Sequence, residues 1–307
     1  MLVVAAVGGN ALLQRAEPLT AQAQRANVKT AAAALARVVR VGHRLIVTHG
    51  NGPQVGLLAL QGAAYRPDET FPLDVLGAET EGMIGYLIEQ ELENALGHDH
   101  AVATLLTQVV VDAQDPAFGN PTKFVGPVYS QEDAQARAAA AGWSIARDGA
   151  DWRRVVPSPR PIEIPDLRVV RMLLDQGVIV ICAGGGGIPV VRRADDSIVG
   201  IEAVIDKDAA SALLAADIGA DALLLLTDVD AVYDGFGTDA ATPLRMLTSE
   251  EGRKLDLPDG SMGPKLTAAC DFVDRGGIAG IGRLADALEI LDGTAGTHVS
   301  NKPFEDR

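Results

Sequence analysis

Residues 201–217 read IEAVIDKDAASALLAAD, and this stretch joins an apolar run to the start of a helix. Ala and Leu recur at helical spacing after its acidic centre, and Asp206 is a suitable N-cap. Lys207 is therefore predicted in the first helical turn, where the helix dipole already favours anions. A phosphate beside it would explain the arrangement, because backbone N–H groups, the dipole and the ammonium group would converge on one anion. A surface lysine balanced by Asp206 and Asp208 is the other interpretation, and this stretch alone leaves both open.

Short, continuous apolar runs elsewhere are typical of parallel strands that are buried on both faces. They span residues 2–7, 44–48, 101–111, 178–182 and 222–227. Helical patterns alternate with these runs over residues 21–41, 55–61, 73–96, 166–176, 266–275 and 284–291, while 188–192 and 199–205 suit an antiparallel pair and 278–281 and 297–300 suit further strands. The alternation predicts an α/β fold, a three-layer α/β/α sandwich around a mainly parallel sheet.

Glycine-rich turns follow three of the predicted strands. They are GGN at 8–10, HGNGPQ at 49–54 and GGGG at 184–187. In open α/β sheets, ligands bind beyond the carboxyl ends of the strands, so we interpret the four successive glycines as allowing close backbone approach to a ligand, with a flexible turn as the alternative. Residues 49–56 do not satisfy GxGxxG, and GxxxxGK[ST] is absent from the sequence, so neither of the two common phosphate-binding loops is present.

The composition changes between residues 112 and 165, which are rich in Pro, Asp, Arg and Gly. We predict one helix there, over 131–141, and one short strand, over 154–156, in an insertion that protrudes from the main sheet. Lys123 lies in this segment, at the end of NPTK. The local pattern favours an ordinary surface lysine, although such excursions often form lids over active sites.

A second lysine is predicted at the start of a helix, because residues 260–265 read GSMGPK before the helical pattern of 266–275. Lys265 and Lys207 in the same kind of position are difficult to explain as coincidence. Asp228 and Asp230 follow the strand at 222–227, where carboxylates can face a metal or a ribose or simply cap a turn.

Composition excludes several classes of function. The 307 residues carry a net charge of −15, which repels nucleic acid and anionic membranes, so we expect neither as a partner. Cys182 and Cys270 lie far apart, which indicates no disulfide framework and suits a reducing cytoplasm. Residues 1–7 lack a basic segment and are interpreted as a first strand instead of a signal peptide. The five histidines show no metal-ligand spacing, and we predict no metal held by protein side chains.

The motifs together resemble the carbamate kinases of the amino acid kinase superfamily, and the resemblance runs essentially from end to end. The segments that carry it are GGNAL (8–12), HGNGPQVG (49–56), NPTK (120–123), VVPSPRP (155–161), GGGGIPV (184–190), EAVIDKD (202–208) and GSMGPK (260–265). It implies reversible phosphoryl transfer between ATP and carbamate, with ADP and carbamoyl phosphate as products. It also implies one amino acid kinase domain over 1–307, with a carbamate-side lobe at about 1–165, a nucleotide-side lobe at about 166–307 and a lid at about 112–165.

The resemblance also implies roles for individual residues. Lys207, Lys265 and Lys123 would lie along the phosphates, and Asp208 would orient lysines. The substrate-binding set is Gly8, Gly9, Asn10, Gly50, Asn51, Gly52, Gly184 and Gly185; the nucleotide-binding set is Asp228, Asp230, Tyr233, Met262, Pro264 and Lys265. Mg²⁺ would be held mainly by the nucleotide phosphates, and a cytoplasmic homodimer working in the ATP-forming direction of arginine catabolism is expected. Phe124 stands where the family often has proline, which makes the position of Lys123 harder to predict.

Two alternatives stay open at the level of sequence. One is another small-acid kinase of the same fold, acting for example on acetylglutamate or a phosphonate, although the insertion argues against it. The other is a non-catalytic nucleotide-binding regulator, which would not need to keep Lys207, Asp208 and Lys265 together.

Overall fold

A mainly parallel sheet of eight strands lies at the centre of this computed structural model, which describes residues 1–12, 20–66, 71–238, 240–257 and 262–302. The strands are β1 (Leu2–Val7), β2 (Arg44–His49), β3 (Val102–Thr104), β4 (Gln108–Val111), β5 (Lys123–Tyr129), β6 (Ser144–Asp148), β7 (Asp151–Val156), β8 (Pro161–Glu163), β9 (Ile179–Ile181), β10 (Ile188–Arg192), β11 (Ile198–Gly200), β12 (Ala222–Thr227), β13 (Val232–Asp234), β14 (Thr242–Leu244), β15 (Met246–Leu247), β16 (Ile278–Arg283) and β17 (Thr297–Val299). The α-helices are α1 (Gly9–Leu12), α2 (Ala21–Arg40), α3 (Gly52–Tyr65), α4 (Leu73–Leu96), α5 (Gln131–Ala141), α6 (Leu167–Asp175), α7 (Lys207–Ile218), α8 (Ser249–Lys254), α9 (Met262–Val273) and α10 (Ala287–Leu291).

The order of the central sheet is β15-β17-β16-β12-β1-β2-β9-β3, and the pairing is parallel except between β16 and β17. Successive side chains of a strand point to opposite faces. Accordingly, Leu2, Val4 and Ala6 pack in one core with α6, α7 and α9, while Val3, Ala5 and Val7 pack in a second core with α2, α4 and α10. Both faces of the sheet are covered, which confirms the predicted three-layer α/β/α sandwich.

The prediction of a single strand over 101–111 is wrong, because the structure divides this segment into β3 and β4. β3 belongs to the central sheet, whereas β4 joins a second sheet with the order β11-β10-β4-β8. At the break, the backbone N–H of Thr107 donates to the buried carboxylate of Glu81 at 3.0 Å instead of to a neighbouring strand. The apolar sequence contains no Gly or Pro at this point, so it gives no signal for the break.

Several other predicted elements have different bounds: the helix predicted over 266–275 is α9, which begins at Met262, and the strand predicted over 154–156 is β7, which begins at Asp151. The strand predicted over 199–205 pairs only at β11, because the N–H of Val204 donates to the carbonyl of Pro157 at 3.0 Å and the chain has left the sheet. The helix predicted over 55–61 begins earlier, at Gly52, since Pro53 fits the first turn of a helix and needs no intrahelical N–H partner.

The predicted insertion contains a separate small unit. β5, β7 and β6 form a three-stranded antiparallel sheet that packs with α5, and we call residues 123–156 the subdomain. β5 and β6 were not predicted, because their sequences mix charged residues with a Gly-Pro step. β8 belongs to the second sheet, so the final part of the predicted 112–165 insertion lies in the body of the molecule. The division into two lobes at residue 165 stays a prediction, and β9 inserts between β2 and β3 across it.

The subdomain packs directly on α3. A Cβ atom added at Gly56 would overlap the Cα of Gly126, so the two backbones touch at this point. Gly126 itself has φ +74, in the left-handed region that favours glycine, and it lies where the register of β5 against β7 shifts.

In the described part of the chain, no helix is both long enough and apolar enough to cross a bilayer.

Alanine substitution on α3 tests this contact. We expect Gly56→Ala to lower the free energy of unfolding by about 1–3 kcal/mol, the usual range for overpacking, because backbone atoms must shift. Gly62→Ala on the same helix is the control: an added Cβ meets nothing within 4 Å there, and removing an interior helix glycine should stabilise by about 0.5–1 kcal/mol. Urea unfolding measures both, and equal stability of the two variants would contradict the packing described.

Candidate active site

A cleft of about 240 Å³ opens at the carboxyl ends of β1, β2 and β12. Its lining residues are Gly8, Gly9, Gly50, Asn51, Gly52, Pro53, Lys123, Phe124, Val125, Gly185, Val204, Ile205, Asp206, Lys207, Asp208, Thr227, Pro264 and Lys265. This is the position at which ligands bind in open α/β sheets. The structure therefore brings together all three predicted lysines and most of the predicted glycine positions around one space.

The two glycine turns that form one wall of the cleft pack against each other. A Cβ atom at Gly50 would lie 2.9 Å from the backbone nitrogen of Gly9, which is closer than real Cβ contacts come. The turns are tied to the sheet, since Gly8 N–H donates to Leu226 O at 2.9 Å and Gly50 N–H donates to Val7 O at 3.0 Å. The wall is therefore backbone held in place by the strands, as a surface that contacts a small anion requires.

Lys207 and Lys265 enter the cleft from the first turns of α7 and α9. Asp206 caps α7, as predicted, because its carboxylate accepts the N–H groups of Asp208 at 2.9 Å and Ala209 at 3.1 Å. The two ammonium groups bind the two oxygens of one carboxylate: Lys207 Nζ lies 2.8 Å from Asp208 Oδ1, and Lys265 Nζ lies 3.0 Å from Asp208 Oδ2. Their side chains are only 11% and 7% exposed.

This buried cluster, Lys207–Asp208–Lys265, carries one positive charge in excess. Burial opposes ionisation of Asp208, but the two lysines outweigh burial and hold its pKa well below the usual range. Burial lowers the pKa of Lys207, and Asp208 partly offsets that effect. A cationic cluster at two helix N-termini attracts anions even on a chain with a net charge of −15.

Lys123 reaches the cleft from the subdomain at the start of β5. Its Nζ lies 2.5 Å from Asp206 Oδ2, and its side chain is 33% exposed. Phe124, at the position where proline was expected, lies under the guanidinium group of Arg153, whose Cζ is 5.6 Å from the ring centroid. The cation–π contact supports the start of β5, so Lys123 enters the cleft without a proline beside it.

The glycine run at 184–187 is needed mainly by the packing of the protein itself. Added Cβ atoms would overlap the His49 ring at Gly184, the Asn51 side chain at Gly185, the Ile205 carbonyl at Gly186 and the Val109 side chain at Gly187. Three of the four also have positive φ, between +68° and +99°. Of these four glycines only Gly185 lines the cleft, and the interpretation that the run approaches a ligand stays a prediction.

Glu81 and His49 support this turn from behind, and the sequence analysis did not identify them. Glu81 accepts the N–H of Gly184 at 2.7 Å and that of Thr107 at 3.0 Å; burial raises its pKa to about 8, and those N–H groups limit the rise. Burial lowers the pKa of His49 to about 4, so the ring is neutral at pH 7. The available signal was a carboxylate one turn before Ile84, on the apolar face of a predicted helix.

The residues predicted to bind nucleotide lie in two places. Pro264 lines the cleft beside Lys265, whereas Met262 begins α9 and packs partly in the core. Asp228, Asp230 and Tyr233 follow β12 and stand outside the cleft lining, where Asp230 accepts the Tyr233 hydroxyl at 2.9 Å. The Asn10 side chain and residues 260–261 of GSMGPK lie outside what the structure describes.

Among the described residues, no group of three or more His, Cys, Asp or Glu side chains is arranged to hold a metal ion. The cleft therefore offers cations and N–H groups and not a carboxylate cage. An anionic ligand that brings its own divalent ion suits such a lining.

Comparisons with known proteins agree with this geometry. The model of the amino acid kinase family matches residues 1–281. Carbamate kinase of Rhizobium meliloti is 54% identical over 98% of this chain and 94% of its own length, and that of Haemophilus influenzae is 51% identical over 98% and 97%. The structure of carbamate kinase from Giardia lamblia bound to AMP-PNP matches with a TM-score of 0.88 and 39% identity, over 97% of this chain and 98% of that one.

Proposed function

The chain belongs to the amino acid kinase family and, within it, to the carbamate kinases, and from this we propose that it catalyses reversible phosphoryl transfer between ATP and carbamate. The products are ADP and carbamoyl phosphate. The Lys207–Asp208–Lys265 cluster at the carboxyl edge of the sheet is the observation that supports this proposal best.

The chemistry requires little covalent help from the protein. A carbamate oxygen forms the new bond to the γ-phosphorus while the bond to the ADP oxygen breaks. Carbamate already carries an anionic oxygen, so no general base is needed, and catalysis depends on positioning and on neutralising charge. We assign that neutralisation to the ammonium groups of Lys207, Lys265 and Lys123 and to the N–H groups of the glycine turns.

We also propose roles for the remaining residues. We propose that Asp208 orients both buried lysines, that Gly8, Gly9, Gly50 and Gly52 contact carbamate and the transferred group, and that Pro264 with the segment after β12 adjoins the nucleotide. Asn10, Asn51, Gly184 and Gly185 complete the proposed substrate side, with Gly184 acting through its bond to Glu81. Mg²⁺ would be held mainly by the nucleotide phosphates, because the described lining supplies no carboxylate cage.

We propose a cytoplasmic homodimer that forms ATP at the end of arginine catabolism, as the resemblance to carbamate kinases implies; the two free, buried cysteines suit a reducing cytoplasm. The subdomain would act as a lid that excludes water from labile carbamate and carbamoyl phosphate.

A coupled assay tests the proposal by measuring ATP formed from ADP and carbamoyl phosphate. We expect turnover with carbamoyl phosphate and none with acetylglutamyl phosphate in its place. Turnover only with the second compound would indicate another small-acid kinase. Tight ADP binding with no turnover on either compound would indicate a nucleotide-binding regulator.

A further inference from the structure

Asp206 lies where the subdomain meets α7, and its two carboxylate oxygens have different partners. Oδ1 accepts the backbone N–H groups of Asp208 and Ala209 at the start of the helix. Oδ2 lies 2.5 Å from the ammonium group of Lys123, at the start of β5. One side chain thus binds the first turn of the helix that carries Lys207 and the lysine that enters from the subdomain.

Helix capping alone does not explain a carboxylate at this position. Asn and Ser cap helices about as well as Asp, and a negative charge in the lining of an anion-binding cleft opposes ligand binding. The carboxylate nevertheless stays charged. Burial alone would raise the pKa of Asp206, but the ammonium group of Lys123, aided by the capping N–H of Ala209, holds it below the usual value.

We propose that Asp206 is a positioning residue for phosphoryl transfer, because it holds the ammonium group of Lys123 in the cleft before substrate binds. The inference rests on the proposed function and deepens it. An ammonium group already fixed near its working position loses less conformational entropy when the phosphoryl group arrives, and small displacements of such groups slow reactions strongly.

A second ion pair between the subdomain and the body provides a matched control. Arg154, on β7, lies 3.4 Å from Glu202, and Glu202 also accepts the N–H of Leu73 at the start of α4. Glu202 therefore combines a cap and an ion pair, as Asp206 does. It stands outside the cleft lining, so Glu202→Gln weakens the attachment of the subdomain without touching Lys123.

The kinetic test is a double-mutant cycle between Asp206→Asn and Lys123→Met, read as ATP formation from ADP and carbamoyl phosphate. Asparagine keeps the cap and removes the charge. We expect Asp206→Asn to lower kcat about 10–100-fold. We expect no rise in the KM for carbamoyl phosphate, since a negative charge has left the cleft. The double variant should be no slower than Lys123→Met alone, whereas Glu202→Gln combined with Lys123→Met should show independent, multiplying effects.

Two results would overturn the inference: a kcat for Asp206→Asn within about threefold of wild type, or multiplying effects of Asp206→Asn and Lys123→Met. Asp206→Ser repeats the cycle if the Asn variant does not fold, because Ser also caps but cannot reach Lys123.

Hydrogen exchange of ligand-free protein gives a readout that does not depend on activity. If amides of β5 exchange faster in Asp206→Asn than in wild type while those of α7 exchange at the same rate, the result supports the inference. Unchanged exchange in both elements opposes it. Absence of wild-type turnover would contradict the proposed function alone.

Discussion

Replacing Lys207 with methionine should lower kcat for ATP formation by about 10²–10³-fold, the usual effect of removing one preorganised group that stabilises transition-state charge. Methionine keeps the unbranched, flexible shape and fills the same space without the ammonium group. Lys207 begins α7 and contacts Asp208 inside the cleft, so the lost charge is shielded from water and is not replaced by solvent.

Lys254→Met is the matched control for that substitution. Lys254 ends α8 and forms an exposed ion pair with Glu250, in which its side chain is 69% exposed. Lys254→Met should leave kcat unchanged and keep the free energy of unfolding within a few tenths of a kcal/mol of wild type. If Lys207→Met retained a kcat within about tenfold of wild type, the catalytic centre would have to lie elsewhere.

Asp208→Asn should produce the largest loss of stability among single substitutions in the cleft. The variant leaves Lys207 and Lys265 side by side without their shared carboxylate, and breaking a buried ion pair in this way costs about 3–5 kcal/mol. Asp217→Asn, on the same helix, is the control. Its ion pair with Arg275 lies at the surface, so we expect this substitution to lower the free energy of unfolding, measured with urea, by about 0–1 kcal/mol.

The contribution of Asp208 to stability should fall as the pH is lowered. The folded-state pKa of Asp208 lies below its unfolded value of about 3.9, so its carboxylate contributes stability above that unfolded value and loses it as the pH falls toward the folded-state pKa. Wild type should therefore lose more stability on acidification below about pH 4 than Asp208→Asn does.

The double variant Lys207→Met, Asp208→Asn separates charge from packing. Removing one lysine relieves the repulsion that the Asn variant creates, so the double variant should be more stable than Asp208→Asn alone. Equal instability of the two would mean that the shape of Asp208, and not its charge, matters to the fold.

The sequence predicted the layers and the lysine positions for reasons that are local. Buried parallel strands are continuous apolar runs, so β1, β2 and β12 were found within one residue of their bounds. The N-cap at Asp206 and the Gly-Pro turn before Lys265 placed two lysines at helix starts. Both signals lie within a few residues of the feature that they predict.

Contacts between distant segments could not be predicted in the same way. Nothing near Lys265 indicates that it shares Asp208 with Lys207, and nothing near Gly184 indicates that its neighbours are His49 and Glu81. These contacts depend on how the strands are ordered in the sheet, which local sequence patterns do not specify. A sequence also does not distinguish a glycine that close packing requires from a glycine that contact with a ligand requires.

A crystal structure with ADP, Mg²⁺, carbamate and aluminium fluoride, which mimics a phosphoryl group in transfer, tests the central claim most directly. The account predicts Lys207 Nζ and Lys265 Nζ at about 2.7–2.9 Å from the oxygens or fluorides of the mimic, with the glycine turns after β1 and β2 on its other side. A mimic bound elsewhere, with both ammonium groups contacting Asp208 alone, would contradict it.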